Sequence, residues 1–520
     1  MLILVTITAL LLTILALLIL RFLVPQFRFH WLAAAGGGFT AWISVLAWQA
    51  QLPIILQLPP WQPAIIFSQT PILVADDTAW AFSLSIIALS LAIIITGVVR
   101  SNFPSPVNWA SVLMLALLGV LAAVADNPLT LVLVWAAIDL VELVIQLRIV
   151  EDPKLSERVV TAFASRVIGT LVLLWADMVS AANNSPFDFR SAPSQAGIFL
   201  IVAAGFRLGV LPLHLPYPSE STLRRGLGTG LRMVSAASSL ILLARIPAAG
   251  TLSPYTPYLL LLVAFAAMYG GWMWLRAPDE LNGRPYWLIG MGSLAVAAAL
   301  RGNSLGAAAW GCALLLSGSL LFLASEPGVW LARLSLSGAL IVSALPFTVT
   351  ATGWESSNDS FWFVIPFLVA AQAMLLAGFI RHGLRIPARA SYENQPIWGR
   401  NVYPAGLGLL VLTGLLLGFF GWEGALQTGA WVTGFVASLL SLGLLWLTPR
   451  LRILNPVRAH WVRPASSSWL EWIYRSLWRV YRQFGRLSAL FTNVLEGESG
   501  IMWTLLFLAL FISMFAQRTP

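Results

Sequence analysis

Apolar residues run along this chain in blocks of about 20, broken by short stretches rich in proline, glycine and charge. A block of that length lets an α-helix, rising 1.5 Å per residue, cross about 30 Å of hydrocarbon. The pattern predicts membrane helices near 2–24, 31–50, 79–99, 107–125, 128–147, 160–182, 196–213 and 227–247. It predicts others near 255–275, 286–300, 304–325, 334–351, 360–380, 403–422, 430–448 and 500–517. The first of these lacks a small-residue cleavage site, so it reads as a retained helix. One segment departs from the pattern. Within 467–490, Trp469, Trp472, Ile473, Ser476, Leu477, Val480 and Phe484 share one face, and Arg475, Arg479, Arg482 and Arg486 lie mostly on the other. That arrangement predicts an amphipathic helix at the membrane surface. The expected fold is an all-α polytopic membrane protein with about 16 transmembrane helices and this C-terminal surface helix. Its divisions are a transmembrane domain over 1–448, a basic amphipathic surface segment over 449–499, and a C-terminal transmembrane helix over 500–520.

Composition agrees: 59% of the 520 residues are hydrophobic and 10% are charged, against about 25% charged in soluble domains. A formal charge of +9 could suggest nucleic acid, but the positions of the basic residues point elsewhere. With the N-terminus outside, alternate loops collect 23 of the 30 Lys and Arg residues, among them Arg21, Arg148, Arg225, Arg284 and Arg381. Loops 51–77 and 350–360 carry none. This is the positive-inside distribution, so the charge is a topology signal and nucleic-acid binding is not expected. The expected partners are the lipid bilayer and other membrane subunits. The single cysteine, Cys312, excludes an internal disulfide and a cysteine-bound iron–sulfur or zinc site. No cofactor or metal is expected, and no catalytic site is visible.

Ionisable residues inside a span cost several kcal/mol unless paired or hydrated, so each is a candidate site. Asp139 and Glu142 lie three apart on the helix near 128–147 and therefore share a face. Arg166 and Asp177 fall on the next span, Arg207 within 196–213, His214 between Pro212 and Pro216, and Arg232 near the start of 227–247. Two readings fit Asp139, Glu142 and Arg166: a proton path, or an ion-paired network that fixes helix packing. Asp177 reads as interfacial, and Arg232 is near enough to a helix end to snorkel. Arg207 has only apolar and glycine neighbours, so it requires a carboxylate from another helix, with Asp139 or Glu142 the nearest candidates. His214, between prolines, marks broken backbone, which membranes tolerate where it lines a cavity or packs in protein. No mid-membrane charge is expected beyond about residue 233.

Gly205-Phe206-Arg207, Pro212-Leu213-His214, Pro218 and then Arg245 at the end of an apolar helix resemble the antiporter-like subunits of complex I and the Mrp-type cation/proton antiporters. Arg207 falls at the family lysine, His214 at its histidine, and Arg245 at its helix-ending arginine. Asp77-Thr78-Ala79, Asp279 with Tyr286 and Gly292, Leu321-Phe322-Leu323, and Ala344-Leu345-Pro346 fit further motifs in the same order. The resemblance implies two inverted five-helix repeats with broken helices, near 107–247 and 255–380. It also implies a prokaryotic plasma (inner) membrane, or a related energy-transducing membrane, as the location.

The departures bear on function. The family glutamate after a fifth-helix tryptophan is Ala136, following Trp135, with Asp139 one turn on as a substitute. The eighth-helix ionisable residue is Arg232. The eleventh-helix Lys or His falls on Leu314 and Gly318, the twelfth-helix Lys or Glu near Trp354, and the tenth-helix Ser-Ser on Trp287-Leu288. Burial can make a lysine release its proton, whereas an arginine keeps it. The expected function is a divergent antiporter-like subunit of a complex I-related or Mrp-related assembly, its own relay degenerate and its role structural or modulatory. The alternatives are an active proton or cation transporter with a rewired Asp/Glu–Arg–His half-channel, and a membrane platform for inorganic-carbon uptake.

Overall fold

Asp76, Asp279 and Asn303 each accept a hydrogen bond from the backbone N–H three residues on, at 2.8, 2.8 and 2.7 Å. Each starts a helix where the sequence turns from polar to apolar, because a side-chain oxygen there satisfies an N–H that the first turn leaves open. The computed structural model describes residues 2–24, 29–57, 59, 70–99, 104–149, 153–182, 189, 192–215, 225–325, 329–355, 359–385, 397–422 and 429–447. The expected surface segment 449–499 and the final span 500–517 lie outside the described residues.

In chain order the elements are α1 (Leu2–Leu23), α2 (His30–Trp48), β1 (Ile54–Gln57), β2 (Ile72–Ala75), α3 (Asp77–Thr96) and α4 (Pro106–Val124). Next come α5 (Pro128–Ile149), α6 (Pro153–Ala182), α7 (Ser194–Leu208), α8 (Leu227–Arg245), α9 (Thr256–Arg276), α10 (Glu280–Leu300) and α11 (Ser304–Leu323). The last are α12 (Val329–Leu336), α13 (Gly338–Val342), α14 (Ile365–Gly383), α15 (Ile397–Phe420) and α16 (Trp431–Leu447). Among the described residues, 11 helices are long and apolar enough to cross a membrane. The protein is an all-α polytopic membrane protein.

Helices α3, α8 and α11 are buried along almost their whole lengths and form the centre of the bundle. α3 and α11 can be because they are almost wholly apolar. By contrast, α8 also buries polar groups that find partners, Ser235 meeting Arg166 and Thr229 meeting Arg284. The outer helices α1, α5, α6 and α9 turn large apolar residues outward, among them Leu12, Val144, Trp175 and Phe265. Such faces suit hydrocarbon. Both ends of the bundle are tied by side chains that reach open carbonyls. At one end Arg245 donates to Asp126 (3.1 Å) and to the Ala123 carbonyl (2.7 Å), while Asn303 donates to the carbonyls of Thr352 and Glu355 (2.9 and 2.8 Å). At the other end Arg225 pairs with Glu280 and donates to the Phe322 carbonyl (3.0 Å), and the Tyr403 hydroxyl donates to the Leu323 carbonyl (3.1 Å).

Four local expectations change. The loop expected at 51–77 contains an antiparallel pair, with Ile54 opposite Ala75 and Leu56 opposite Leu73. The span expected over 196–213 ends at Leu208, where Gly209 takes φ 73° and the chain turns away. Glycine suits that left-handed position because it has no Cβ to clash. The span expected over 334–351 is interrupted: α12 and α13 are short, and turns follow from Ser343. Finally, α10 begins at Glu280 rather than near 286, because the Asp279 cap starts the helix and Pro285 is accommodated inside it.

Candidate functional site: a buried arginine–carboxylate cluster

Asp139 lies midway along α5 and Arg207 in the last turn of α7, just before the chain turns away at Gly209, and both are buried in the bundle. Arg207 donates through Nη1 to Asp139 Oδ2 at 2.6 Å and through Nη2 to Asp139 Oδ1 at 2.9 Å. This two-point grip matches the planar guanidinium to the planar carboxylate. Nη1 also reaches Thr170 Oγ1 and the Arg166 carbonyl, both at 3.3 Å, on α6. The guanidinium carbon stands 4.4 Å from the centre of the Trp135 ring, one turn before Asp139, a cation–π distance. Trp135 is oriented in turn by its own N–H, which donates to the Ser238 carbonyl on α8 at 3.0 Å.

Arg166 extends the cluster. Its Nε lies 3.4 Å from Asp139 Oδ1, and its Nη1 pairs with Glu142 Oε2. Nη1 also reaches Ser235 Oγ on α8 at 3.5 Å. Asp139, Glu142, Arg166 and Arg207 therefore alternate in sign and sum to zero, with side chains at most 2% exposed. The i,i+3 spacing of the two carboxylates on α5 lets α6 and α7 each bring one arginine to the same face.

Gly169 makes the arrangement possible. A Cβ there would lie 2.6 Å from Arg207 Cγ and 3.0 Å from the Ala203 carbonyl oxygen. The long side chain of Arg207 crosses α6 where α6 has no side chain. Neither Gly169 nor Thr170 stands out in the sequence, since a glycine and a threonine in a membrane helix are unremarkable until α7 is laid beside them.

The remaining candidates separate. Arg232 is buried on α8, one turn before Ser235. His214 follows α7 and turns back on its own segment: Nδ1 is 2.8 Å from the Pro212 carbonyl oxygen, and the ring centre is 5.7 Å from that of Phe206. Asp177 is exposed on the outer face of α6. Arg284, assigned to an inside loop by the sequence pattern, is instead buried in α10 and donates to Thr229 Oγ1 at 2.9 Å. The Asp279 cap, which starts the helix at Glu280, was the signal that could have placed it.

In the second half, the positions aligned with ionisable family residues are packed with tryptophan. Trp287 N–H donates to the Leu314 carbonyl at 3.4 Å, and a Cβ on Gly318 would already lie 2.5 Å from Trp287 Nε1. Trp287 packs on Trp274 (5.2 Å between ring centres) and Phe379 (5.6 Å). Trp354 donates to Gln372 Oε1 at 3.0 Å, and Gln372 donates to the Val342 carbonyl at 2.8 Å, satisfying the broken end of α13. His382, not singled out in the sequence, is buried near the end of α14, with Nε2 3.1 Å from the Trp274 carbonyl oxygen.

Solved structures share this architecture. A chain of the Mrp complex from Dietzia sp. DQ12-45-1b superposes with a TM-score of 0.71 at 14% identity, covering 99% of this chain and 63% of that one. The chain has the antiporter-like subunit fold. A chain of respiratory complex I from Thermus thermophilus with bound Aureothin gives 0.60 at 19% identity, over 80% of this chain and 98% of the other. A chain of the membrane-bound sulfane sulfur reductase, an archaeal respiratory membrane complex, gives 0.62 at 13% identity, over 98% and 99%. The chain thus spans about two thirds of the length of the Mrp chain it matches. No protein-family model and no curated protein matches the sequence.

Proposed function

We propose that this chain is a divergent antiporter-like membrane subunit of a complex I-related or Mrp-related assembly, in which it anchors or modulates its partners without relaying protons itself. The observation that carries the reading is the Arg207–Asp139–Arg166–Glu142 cluster. Every cation in it is an arginine, which keeps its proton through a turnover that a relay lysine would complete. Both Asp139 oxygens already face guanidinium N–H groups. The tryptophan packing around Leu314 and Gly318 supports the same conclusion for the second half, since a proton path needs polar or hydrated steps.

The inverted five-helix repeats, near 107–247 and 255–380, belong to this proposal; each half holds an interrupted helix, at α7 and at α12–α13. So do the other membrane subunits as partners, the prokaryotic plasma or related energy-transducing membrane as location, and the divisions 1–448, 449–499 and 500–520. The test is pH-gradient formation in vesicles, normalised to the amount of assembled complex. Arg207→Ala and Asp139→Asn are expected to lower the amount assembled and to leave transport per assembled complex unchanged. Normal assembly with abolished gradient formation would make the chain an active transporter with a rewired half-channel, and the proposal would be wrong.

A further inference from the structure

The break after α13 is gripped by two later helices, α15 and α16. Ala344 and Phe347 adopt φ of 55° and 64°, a region that non-glycine residues seldom enter. Turns that hold such angles persist where their surroundings over-determine them. Some of that determination is local: the Thr350 hydroxyl donates to the Ile341 carbonyl (2.8 Å) and accepts from the Ala344 N–H (3.0 Å). The rest comes from α15 and α16. A Cβ on Gly434 of α16 would lie 2.3 Å from the Ala344 carbonyl oxygen, and one on Gly418 of α15 2.7 Å from that of Phe347. Gly429, in the turn leading into α16, meets the Ala351 carbonyl oxygen at 2.2 Å on the same measure and has φ 56°. Three glycines thus press backbone against backbone on carbonyls of one eight-residue turn, and the strained residues Ala344 and Phe347 are two of those three contacts.

We propose that α15 and α16 together clamp residues 344–351 in a single conformation, so that the second interrupted helix is locked and does not act as a gate. The contacts require glycine because the neighbours are backbone oxygens, which cannot rotate aside as a side-chain end would. Gly408 on α15 and Gly443 on α16 have open space where a Cβ would go, so the same two helices supply matched controls. The inference concerns mobility alone and stands whether or not the chain relays protons.

The experiment uses the full chain in native membranes, with Cys312 replaced by serine and a reporter Ser343→Cys at a buried position beside the break. Labelling by a membrane-permeant thiol reagent is compared across Gly418→Ala, Gly434→Ala, Gly408→Ala and Gly443→Ala, and is read only on accumulated protein. Phe347→Cys, at a half-exposed position, serves as the labelled reference. A clamp predicts at least about tenfold faster labelling of the reporter in Gly418→Ala and Gly434→Ala, as local opening becomes easier, and unchanged labelling in the two controls. Hydrogen exchange of amides 343–350 in the purified full chain should follow the same order. Equal rates in all four variants would overturn the clamp. Fast labelling in the parent would do so too, because the break would then be mobile with both helices intact.

Discussion

Arg207 holds Asp139 through both of its terminal nitrogens, at 2.6 and 2.9 Å, in a setting where neither side chain is more than 2% exposed. A buried pair of this kind has little net effect on stability compared with apolar residues of the same shape. Its loss is another matter, because removing one partner leaves the other charged in a medium that cannot solvate it.

Arg207→Ala should therefore destabilise the fold by about 3–5 kcal/mol. The expected outcome is a marked fall in accumulated protein and in the melting temperature in detergent. Arg207→Lys should fall between the parent and the alanine variant. It keeps the charge but loses the two-point grip and the planar contact with Trp135. An alanine variant as stable as the parent would remove the cluster from the architecture.

Gly169 offers an independent test of the same contact. A methyl group at that position meets Arg207 Cγ and a backbone oxygen, so Gly169→Ala should destabilise by about 1–3 kcal/mol through overpacking. Pairing it with Arg207→Ala should give less than the sum of the two, since the closer clash, with Arg207 Cγ, disappears with the side chain. Additive effects in thermal unfolding would mean that the two positions do not meet.

Restoring the family's cation to the second half should fail. Leu314 is fully buried and its carbonyl is engaged by Trp287. Leu314→Lys would place an unpaired charge among apolar side chains, and it should reduce assembled protein while adding no proton translocation to vesicles. A variant that assembles normally and acidifies vesicles faster would reveal hydration that the tryptophan packing argues against.

Topology is tested by cysteine labelling, for which buried Cys312 gives a quiet background. Cysteines at exposed positions of 51–77, and of 350–360 beyond the buried Thr350–Trp354, should react with an impermeant reagent from outside, and those in 381–402 and 449–490 only from inside. Within the described residues the helix ends already sort by chain alternation: Arg245 and Asn303 tie one end, Arg225 and Tyr403 the other. Labelling of 381–402 from outside would reverse the proposed orientation.

Much of this was legible along the chain. Blocks of about 20 apolar residues fix membrane helices because hydrocarbon leaves the backbone no partner but itself. The lone in-span Arg207 required a carboxylate because no neighbour within its own helix could neutralise it. Asp139 was one of two candidates, and only tertiary structure chose between them: Arg207 takes Asp139, while Glu142 goes to Arg166. That choice depends on how α6 lies against α5 and α7 against α6, the second approach being close because Gly169 has no side chain. The same holds for the break after α13. Hydropathy carries Ser343 to Thr350 on as part of an apolar span; Pro346 signals a break there, but nothing local records that Gly418 and Gly434, far along the chain, fix its shape. A backbone bends where distant backbone presses on it, and hydrophobic pattern cannot report a contact made by residues with no side chain.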